Sequence, residues 1–504
     1  MKKYAVTLAV VIFAFLTAIV PAGAAARSLP EKLVLLPDPA DPTISLRFGF
    51  RVGSQDDPNG KEGLAALTAA MLTGGATKKR SYEEILRLLY PMAAGIEGQV
   101  DKEMTVISGR THKDNLTAFR SLFIEVIREP AFREDDFKRL RTNAINFLET
   151  SLRYGDDEEL GKAALGEFVF AGTPYGHLHS GHVASLGAIT LDDVKAFYKR
   201  HYTPANLTIG IAGGYSEEFA ERVQREAQKL PAGRPAAVPK LRPGPIEGLQ
   251  IEIIEKDADA TAISFGFPID AVRSSRDIFA LAVANSWLGE HRNHSSRLYQ
   301  AIRDARGLTY GAYSYIEFFP DAGRFMVPRP NVARRRPAFQ IWIRPVPNSA
   351  RIFAFRAALR ELQQLVDNGL RWEQFDLTRR FLENYSLNYA PTSMTKLGYA
   401  MDDVFYGIPG SYLERFRKRM ETLTLEDVNA AIKKYLQYKN LKVVFVTSEA
   451  QQLKEALVAN TPSPITYPSP KPQDVLEEDK AISVYPISVK PENISIRPVD
   501  TMFR

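Results

Sequence analysis

Histidines, the side chains that most often bind transition metals, are scarce in this sequence, and five of them lie in two short segments. There are seven in 504 residues, and three of them, His177, His179 and His182, stand in PYGHLHSGH. Three imidazoles so close together are able to bind zinc or copper. The turn-forming glycines beside them favour a surface loop instead, so a metal site here is the alternative interpretation.

A second pair of histidines, His291 and His294, follows Glu290 in the segment EHRNH. A zinc-binding helix carries its histidines four residues apart with a glutamate between them. Here the spacing is three and the glutamate lies outside the pair, so no zinc site is predicted. The chain also has no cysteine and no G-x-S-x-G elbow, and therefore offers no recognisable nucleophile.

The segment 63–77 reads GLAALTAAMLTGGAT. It resembles the signature of the pitrilysin or insulinase-like zinc metallopeptidases, in which G-x-A-H-x-x-E-H-M-L precedes a glycine pair. In that family the two histidines bind zinc and the glutamate acts on the zinc-bound water. The matching positions here are Ala66, Ala69 and Ala70. Because a methyl group has no lone pair, the resemblance implies a degenerate motif, with no metal and no catalytic residue in this chain.

The family takes its third zinc ligand from a glutamate on a later helix. The segment from Phe137 to Arg153 has the pattern of that helix, and Glu149 is its nearest acidic candidate. One carboxylate without two imidazoles does not make a zinc site. We therefore expect Glu149 to be a solvated helix residue.

A second motif of the family lies in the segment from Ser295 to Tyr315. In the family's C-terminal domains and non-catalytic subunits, an arginine and a tyrosine seven residues apart face the zinc site across a chamber. The matching residues are Arg303, near the end of a predicted helix, and Tyr310, on a predicted strand after Gly307. The resemblance implies that both bind substrate carbonyl oxygens and stabilise the oxyanion, since both carry donors. Without it, a surface arginine and a core tyrosine would be expected.

Substrate capture in the family is by strand addition, in which an extended peptide pairs with an exposed sheet edge. The segment from Gly95 to Gly109 is the candidate edge because it alternates apolar and polar residues from Val100 onward. It lacks the family's usual Asn-Ala pair and has Glu97 and Gly98 near that place. Peptide contact through this edge is therefore an open expectation.

Residues 1–26 have the pattern of a secretory signal peptide. Lys2 and Lys3 precede a short apolar run, and small residues allow cleavage after Ala24 or Ala26. This pattern predicts a periplasmic or secreted protein with no membrane span in the mature chain. The formal charge of +6 falls to 63 minus 59, or +4, without the two lysines. That excess is too small to indicate nucleic-acid binding.

Two segments align without gaps, TLDDVKAFYKRHYTPANLTIGIAG from Thr190 and TLEDVNAAIKKYLQYKNLKVVFVT from Thr424. Each predicts a helix capped by its threonine and followed by a strand, which indicates an internal duplication. Residues 231–248 are proline-rich and predict a linker. The resemblance implies an α+β fold in which two homologous α/β domains, residues 27–230 and 249–460, form half of a clamshell-like chamber.

The tail, residues 461–504, contains eight prolines between short apolar pairs. Proline interrupts helices, so we expect no helix in this segment. Its repeated isoleucine, valine and tyrosine favour an extended strap over a domain surface rather than a disordered tail.

Our leading hypothesis is a non-catalytic subunit of a periplasmic zinc peptidase. It would form a heterodimer with a zinc-bearing chain of the same fold, bind the peptide substrate and supply Arg303 and Tyr310, with zinc in the partner and no cofactor in this chain. The first alternative is a non-hydrolytic peptide-binding or structural scaffold protein. The second is an autonomous hydrolase that uses the cluster His177, His179 and His182.

Overall fold

The computed structural model describes residues 32–319 and 327–504. The predicted signal peptide, residues 1–26, lies outside this part of the chain. Two sheets organise the described residues, one in each half of the chain, with helices packed on both. The α+β class predicted from the sequence is confirmed. Within the described ranges, no helix is both long and apolar enough to span a bilayer.

The elements of the first half begin with two strands and end with a helix before residue 230. Its strands are β1 (Leu33–Pro37), β2 (Thr43–Phe50), β3 (Gly95–Val100), β4 (Thr105–His112) and β5 (Leu207–Gly213). Its α-helices are α1 (Leu64–Thr73), α2 (Tyr82–Leu89), α3 (Leu116–Arg128), α4 (Glu134–Asn146), α5 (Asp157–Val169), α6 (Val183–Ala188), α7 (Leu191–His201) and α8 (Glu217–Ala227). Residues 231–247 then run without regular secondary structure.

The second half repeats this order and adds elements at its end. Its strands are β6 (Leu249–Glu255), β7 (Ala260–Pro268), β8 (Ala312–Tyr315), β9 (Ala338–Pro347), β10 (Leu441–Thr447) and β11 (Ile494–Pro498). Its α-helices are α9 (Ile278–Gly289), α10 (Arg351–Asn368), α11 (Trp372–Tyr385), α12 (Ser393–Tyr406), α13 (Tyr412–Thr422), α14 (Leu425–Tyr435), α15 (Ala450–Val458) and α16 (Gln473–Ser483).

The strand orders of the two sheets show the internal duplication directly. The first sheet runs β1-β5-β2-β4-β3, and the second runs β6-β10-β7-β9-β8 with β11 added beside β6. In both, the first strand is parallel to its inner neighbour and the remaining duplicated pairs are antiparallel. Equivalent strands therefore occupy equivalent places.

The predicted helix caps are confirmed. Thr190 Oγ1 accepts a hydrogen bond from the backbone N–H of Asp193 at 3.2 Å, and Thr424 Oγ1 accepts one from that of Asp427 at 3.1 Å. Each satisfies an N–H group that a helix start leaves unpaired. The capped helices α7 and α14 lead into the equivalent strands β5 and β10.

Each half places one helix on the sheet of the other half. Helix α12 packs on the first sheet, where Leu397 and Met401 contact Val34 and Ala212. A Cβ atom at Gly210 would lie 2.7 Å from the sulfur of Met401, so a larger residue there would displace the Met401 side chain. Helix α5 packs in the same way on β7, β9 and β10 of the second sheet.

A segment before β9, residues 327–337, crosses to the first half, and we call it the crossing segment. Its Arg334 forms a bidentate ion pair with Asp101, at 2.7 and 2.6 Å, in the turn between β3 and β4. Asp101 is only 2% exposed. Arg335 pairs with Glu103 of the same turn, so two arginines of one half neutralise two carboxylates of the other.

The tail contains a helix, so the prediction of no helix there was wrong. Helix α16 occupies the one long stretch of the tail without proline, between Pro472 and Pro486. The rest is extended: β11 pairs in parallel with β6. Beyond it, Met502 and Phe503 are buried in the core of the first half. The tail therefore binds to both halves.

Candidate functional site

Helix α1 carries the degenerate motif, and a buried carboxylate holds its N-terminus. Asp57 Oδ2 accepts a hydrogen bond from the N–H of Gly63, and Oδ1 accepts one from that of Ala65, both at 2.7 Å. Gly63 has a φ of +99°, and the chain at Gly181 packs directly against it. Gly63 and Ala65, which match the family motif beside the lost metal ligands, therefore position the helix.

The three alanines leave the metal-binding positions of the motif on α1 without a donor atom. Ala66 and Ala70 are half-buried and lie one helical turn apart, while Ala69 is buried. Within residues 32–319 and 327–504, no three His, Asp or Glu side chains are grouped so as to hold a metal ion. The residues at this helix do not fit the zinc ion that the motif binds in zinc peptidases.

Glu149 lies in a π-helical segment, Phe147–Gly155, that continues α4. Its side chain is 46% exposed, and its carboxylate lies 3.9 Å from the guanidinium of Arg153. This is the position of a solvated helix residue, as expected.

The loop with His177, His179 and His182 packs beside the start of α1, and the imidazoles of His177 and His182 contact separate carboxylates. His177 Nε2 lies 3.4 Å from Asp57 Oδ2, while His182 Nε2 lies 2.6 Å from Glu167 Oε1. Burial alone would lower the pKa of His182, but the hydrogen bond and charge of Glu167 outweigh it and raise that pKa. The loop therefore lies against the start of α1 through His177 and against α5 through His182.

The two histidines of the second pair, His291 and His294, also have different neighbours. His291 is buried, its Nδ1 lies 2.6 Å from the hydroxyl of Tyr315, and burial lowers its pKa to about 3. His294 instead stacks on the ring of Tyr299, with 4.6 Å between ring centroids.

Arg303 and Tyr310 lie side by side, and a turn brings them together. Arg303 lies in the last turn of a short π-helical segment, Tyr299–Asp304. Gly307, with a φ of +68°, donates its N–H to the carbonyl oxygen of Arg303 at 2.7 Å, which reverses the chain as glycine does at helix ends. Tyr310 then lies just before β8, not on the strand as predicted, because pairing with β9 begins only at Ala312.

These two residues belong to a column of stacked side chains, His294–Tyr299–Arg303–Tyr310–Arg344. The Cζ atom of Arg303 lies 4.7 Å from the ring centroid of Tyr299 and 4.3 Å from that of Tyr310. The Cζ atom of Arg344 lies 5.1 Å from the ring centroid of Tyr310, and Arg344 is the last residue of the column. A cation is attracted to the negative face of an aromatic ring, so both tyrosine rings hold the guanidinium of Arg303.

Two members of the column were missed from the sequence. Tyr299 precedes Arg303 by four residues, a spacing that places side chains together on a helix, and that signal was available. Arg344 comes from β9, and no local pattern connects it to Tyr310. Its guanidinium also pairs with Glu158 of α5, at 2.9 Å, so both halves of the chain build this site.

The predicted sheet edge is confirmed for β3, which lies at the end of the first sheet. Residues 105–109 belong to the inner strand β4, so only the first part of the predicted segment is an edge. Gly98 of β3 lies against α1, since a Cβ atom there would be 3.2 Å from Thr73 Oγ1. The degenerate helix therefore flanks the edge strand.

Family models match in both halves of the chain. The model of insulinase, peptidase family M16, matches residues 32–152, and that of the peptidase M16 inactive domain matches residues 188–328. Together they span more than half of the sequence. This chain belongs to the M16 peptidase family. The M16 assignment explains the duplicated architecture and the frame around the three alanines.

Individual M16 relatives agree with this assignment. An uncharacterized zinc protease of Streptomyces coelicolor is 26% identical over 308 residues, 60% of this chain and 66% of that protein. The protein named non-peptidase homolog YmxG of Helicobacter pylori is 20% identical over 89% of this chain and 99% of its own length. A crystal structure titled peptidase M16 inactive domain, from Pseudomonas fluorescens, superposes with a TM-score of 0.73 and 25% identity, covering 82% of this chain and 95% of that one.

The chain is a non-peptidase homologue within M16. It keeps the fold of the family while alanine replaces the two histidines and the glutamate of its motif.

Proposed function

We propose that this chain is the non-catalytic subunit of a periplasmic zinc peptidase. It binds peptide substrate and supplies Arg303 and Tyr310 to a separate M16 chain that carries the intact HxxEH motif and the zinc ion. The observation that carries this proposal is the contrast between two motifs: the metal motif is erased, while Arg303 and Tyr310 are preserved and built into one stacked unit.

The geometry of that unit supports a role in binding carbonyl oxygens. Tyr310 is 60% exposed, so its hydroxyl is available to a ligand outside the chain. The guanidinium of Arg303 lies against the rings of Tyr299 and Tyr310, and its Nη1 is hydrogen-bonded to the backbone of Tyr310. A fixed donor stabilises developing negative charge better than a mobile one because it needs no reorganisation during reaction.

The outer edge of β3, which pairs with no other strand in the described part of the chain, supports a role in holding peptide. Strand addition uses main-chain hydrogen bonds and needs none of the lost metal ligands. Loss of zinc chemistry at α1 is thus compatible with continued peptide binding beside it.

The direct test is an assay of unfolded peptides with the purified chain alone and with an HxxEH-bearing M16 partner. We expect cleavage only with the partner, and zinc by elemental analysis only in the partner. Zinc-dependent cleavage by this chain alone would refute the proposal. A genome in which no such partner is encoded would weaken it in favour of the second candidate.

The second candidate is a non-hydrolytic peptide-binding or structural scaffold. One contact favours it: Gln99 of the edge strand donates its side-chain N–H to the carbonyl oxygen of Asn331 at 2.7 Å. The crossing segment therefore already holds one side chain of the strand that a substrate would extend. Stable assembly with a partner that shows no hydrolysis of any peptide would support this candidate.

A further inference from the structure

The second half contains an open cleft of about 740 Å³ that no part of the proposed peptidase function uses. The end of α9, the segment around Gln300, the end of α10 and the length of α11 form its walls. Its volume lies in the range typical of ligand sites, about 300–1,000 Å³. Helices α9 and α11 are the counterparts of α1 and α4 in the duplication, so the second half has a cleft beside its own equivalent of the degenerate helix.

The polar part of the cleft consists mainly of carboxamides. Five of them line it: Asn293, Gln300, Gln364, Asn368 and Gln374. None of the described residues that line it is a carboxylate. A carboxamide offers both N–H donors and a C=O acceptor, as does the peptide group. The side chains of Gln300 and Asn368 make no hydrogen bond within the described chain, so their donors and acceptors are available to a ligand.

The charge of the cleft is largely cancelled from within the protein. Arg297 is committed to a bidentate ion pair with the buried carboxylate of Glu361, at 2.7 and 2.9 Å. Arg371 is left as the remaining cation on the lining. Apart from Arg371 and the ion-paired Arg297, the described residues of the lining offer neutral hydrogen-bond donors and acceptors and apolar side chains.

The apolar part of the cleft is unusually exposed for large side chains. Leu377 and Phe381 lie one turn apart on α11 and are 65% and 37% exposed, and Trp287 joins them from α9. Covering exposed apolar area is favourable because it removes that area from water. A ligand with apolar side chains would gain from contact with these three residues.

We propose that this cleft binds an extended, uncharged peptide with apolar side chains, at a site distinct from the edge of β3. The carboxamides pair with its main chain, and Trp287, Leu377 and Phe381 contact its side chains. The exposed aliphatic side chain of Leu377, and the carboxamides, which carry the same donors and acceptors as a main-chain amide, favour a peptide over a glycan. This inference deepens the proposed peptide-binding function by adding a second contact region for the same substrate class.

The test uses the full chain alone, without partner or zinc, so its result is independent of the hydrolysis assay. A fluorescently labelled, uncharged decapeptide rich in leucine and phenylalanine is titrated by fluorescence anisotropy. We expect saturable binding whose Kd rises at least tenfold in the double variant Leu377→Ser/Phe381→Ser. The variant Gln300→Ala/Asn368→Ala, which changes only exposed side chains, should raise the Kd at least threefold. Circular dichroism confirms that each variant is folded.

Leu387→Ser is the matched control, since Leu387 is 59% exposed and does not line the cleft. Its Kd should remain within twofold of that of the unmodified chain. Absence of binding by the unmodified chain would overturn the inference, as would equal binding by the double variant. Displacement of the peptide by a neutral oligosaccharide at comparable concentration would assign the cleft to a glycan and would also overturn it.

Discussion

Arg303 Nη1 donates a hydrogen bond to the carbonyl oxygen of Tyr310 at 2.6 Å, while its guanidinium lies over the ring of the same tyrosine. The seven-residue spacing of the motif thus has a direct structural meaning. The turn at Gly307 returns the chain so that the backbone and ring of the tyrosine both hold the arginine. A ligand that binds this pair would therefore contact both residues.

Replacement of Arg303 by alanine should lower kcat of the assembled pair by about 10²-fold, the usual cost of losing one donor to an oxyanion. Steady-state kinetics with an HxxEH partner provide the measurement. Arg417→Ala, at an exposed position on α13, is the charge-matched control and should leave kcat unchanged. Equal kinetics in both variants would leave Arg303 without a catalytic role.

Tyr310→Phe separates the hydroxyl from the ring. The ring stack and the backbone hydrogen bond to Arg303 remain, so the melting temperature should stay within about 1–2 °C, consistent with a change at an exposed surface position. Turnover by the assembled pair should fall if the hydroxyl binds substrate. If Tyr310→Phe keeps full turnover and Tyr310→Ala loses turnover, the ring of Tyr310 acts in the reaction and its hydroxyl does not.

The ion pair between Asp101 and Arg334 should be a major determinant of stability. Asp101→Asn leaves the buried guanidinium without its counter-charge, which costs about 3–5 kcal/mol. Denaturant unfolding gives the value. Asp270→Asn is the control because Asp270 pairs with Arg336 at the surface, with its side chain 85% exposed, and surface pairs contribute about 0–1 kcal/mol. Similar losses in both variants would contradict the assignment.

Glu290 should make the stability of the chain depend on pH. Its burial raises its pKa to about 7 from 4.5. Because the folded state holds the proton more tightly than the unfolded state, this contribution is fully present below pH 4.5 and is lost as pH rises through 7. Glu290→Gln should flatten this decline in the free energy of unfolding, measured at intervals from pH 4.5 to 8. An unchanged slope would show that Glu290 titrates normally.

Phe503 should stabilise the first half although it belongs to the tail. It is 2% exposed and shares a core with α1 and β2, and truncation of a buried phenylalanine to alanine costs about 3–5 kcal/mol. Thermal unfolding of Phe503→Ala measures this, with the neighbouring exposed Arg504→Ala as control. A melting temperature equal to that of the control would mean that the tail is not docked in solution.

Local patterns in the sequence were sufficient for much of the fold. The capped helices at Thr190 and Thr424, the edge strand β3 and the duplication all follow from side-chain periodicity and repeated motifs within short segments. The helix α16 was missed because the eight prolines were counted over the whole tail, whereas only their positions decide where a helix can form.

The candidate site was less accessible from the sequence. The spacing of Arg303 and Tyr310 identified the pair, but Arg344 and the crossing segment reach their partners through tertiary contacts between distant residues. Charges such as Arg334 and Asp101 leave no periodic signal because each is a single residue in a loop. Long-range pairing of this kind depends on the completed fold.

The exchange of α5 and α12 between the two halves has a consequence for the evolution of the chain. Each half, expressed alone, would present one bare hydrophobic sheet face to water, so neither repeat is any longer a self-sufficient protein. The duplication has become obligatory, and a change that separates the repeats would expose both cores at once.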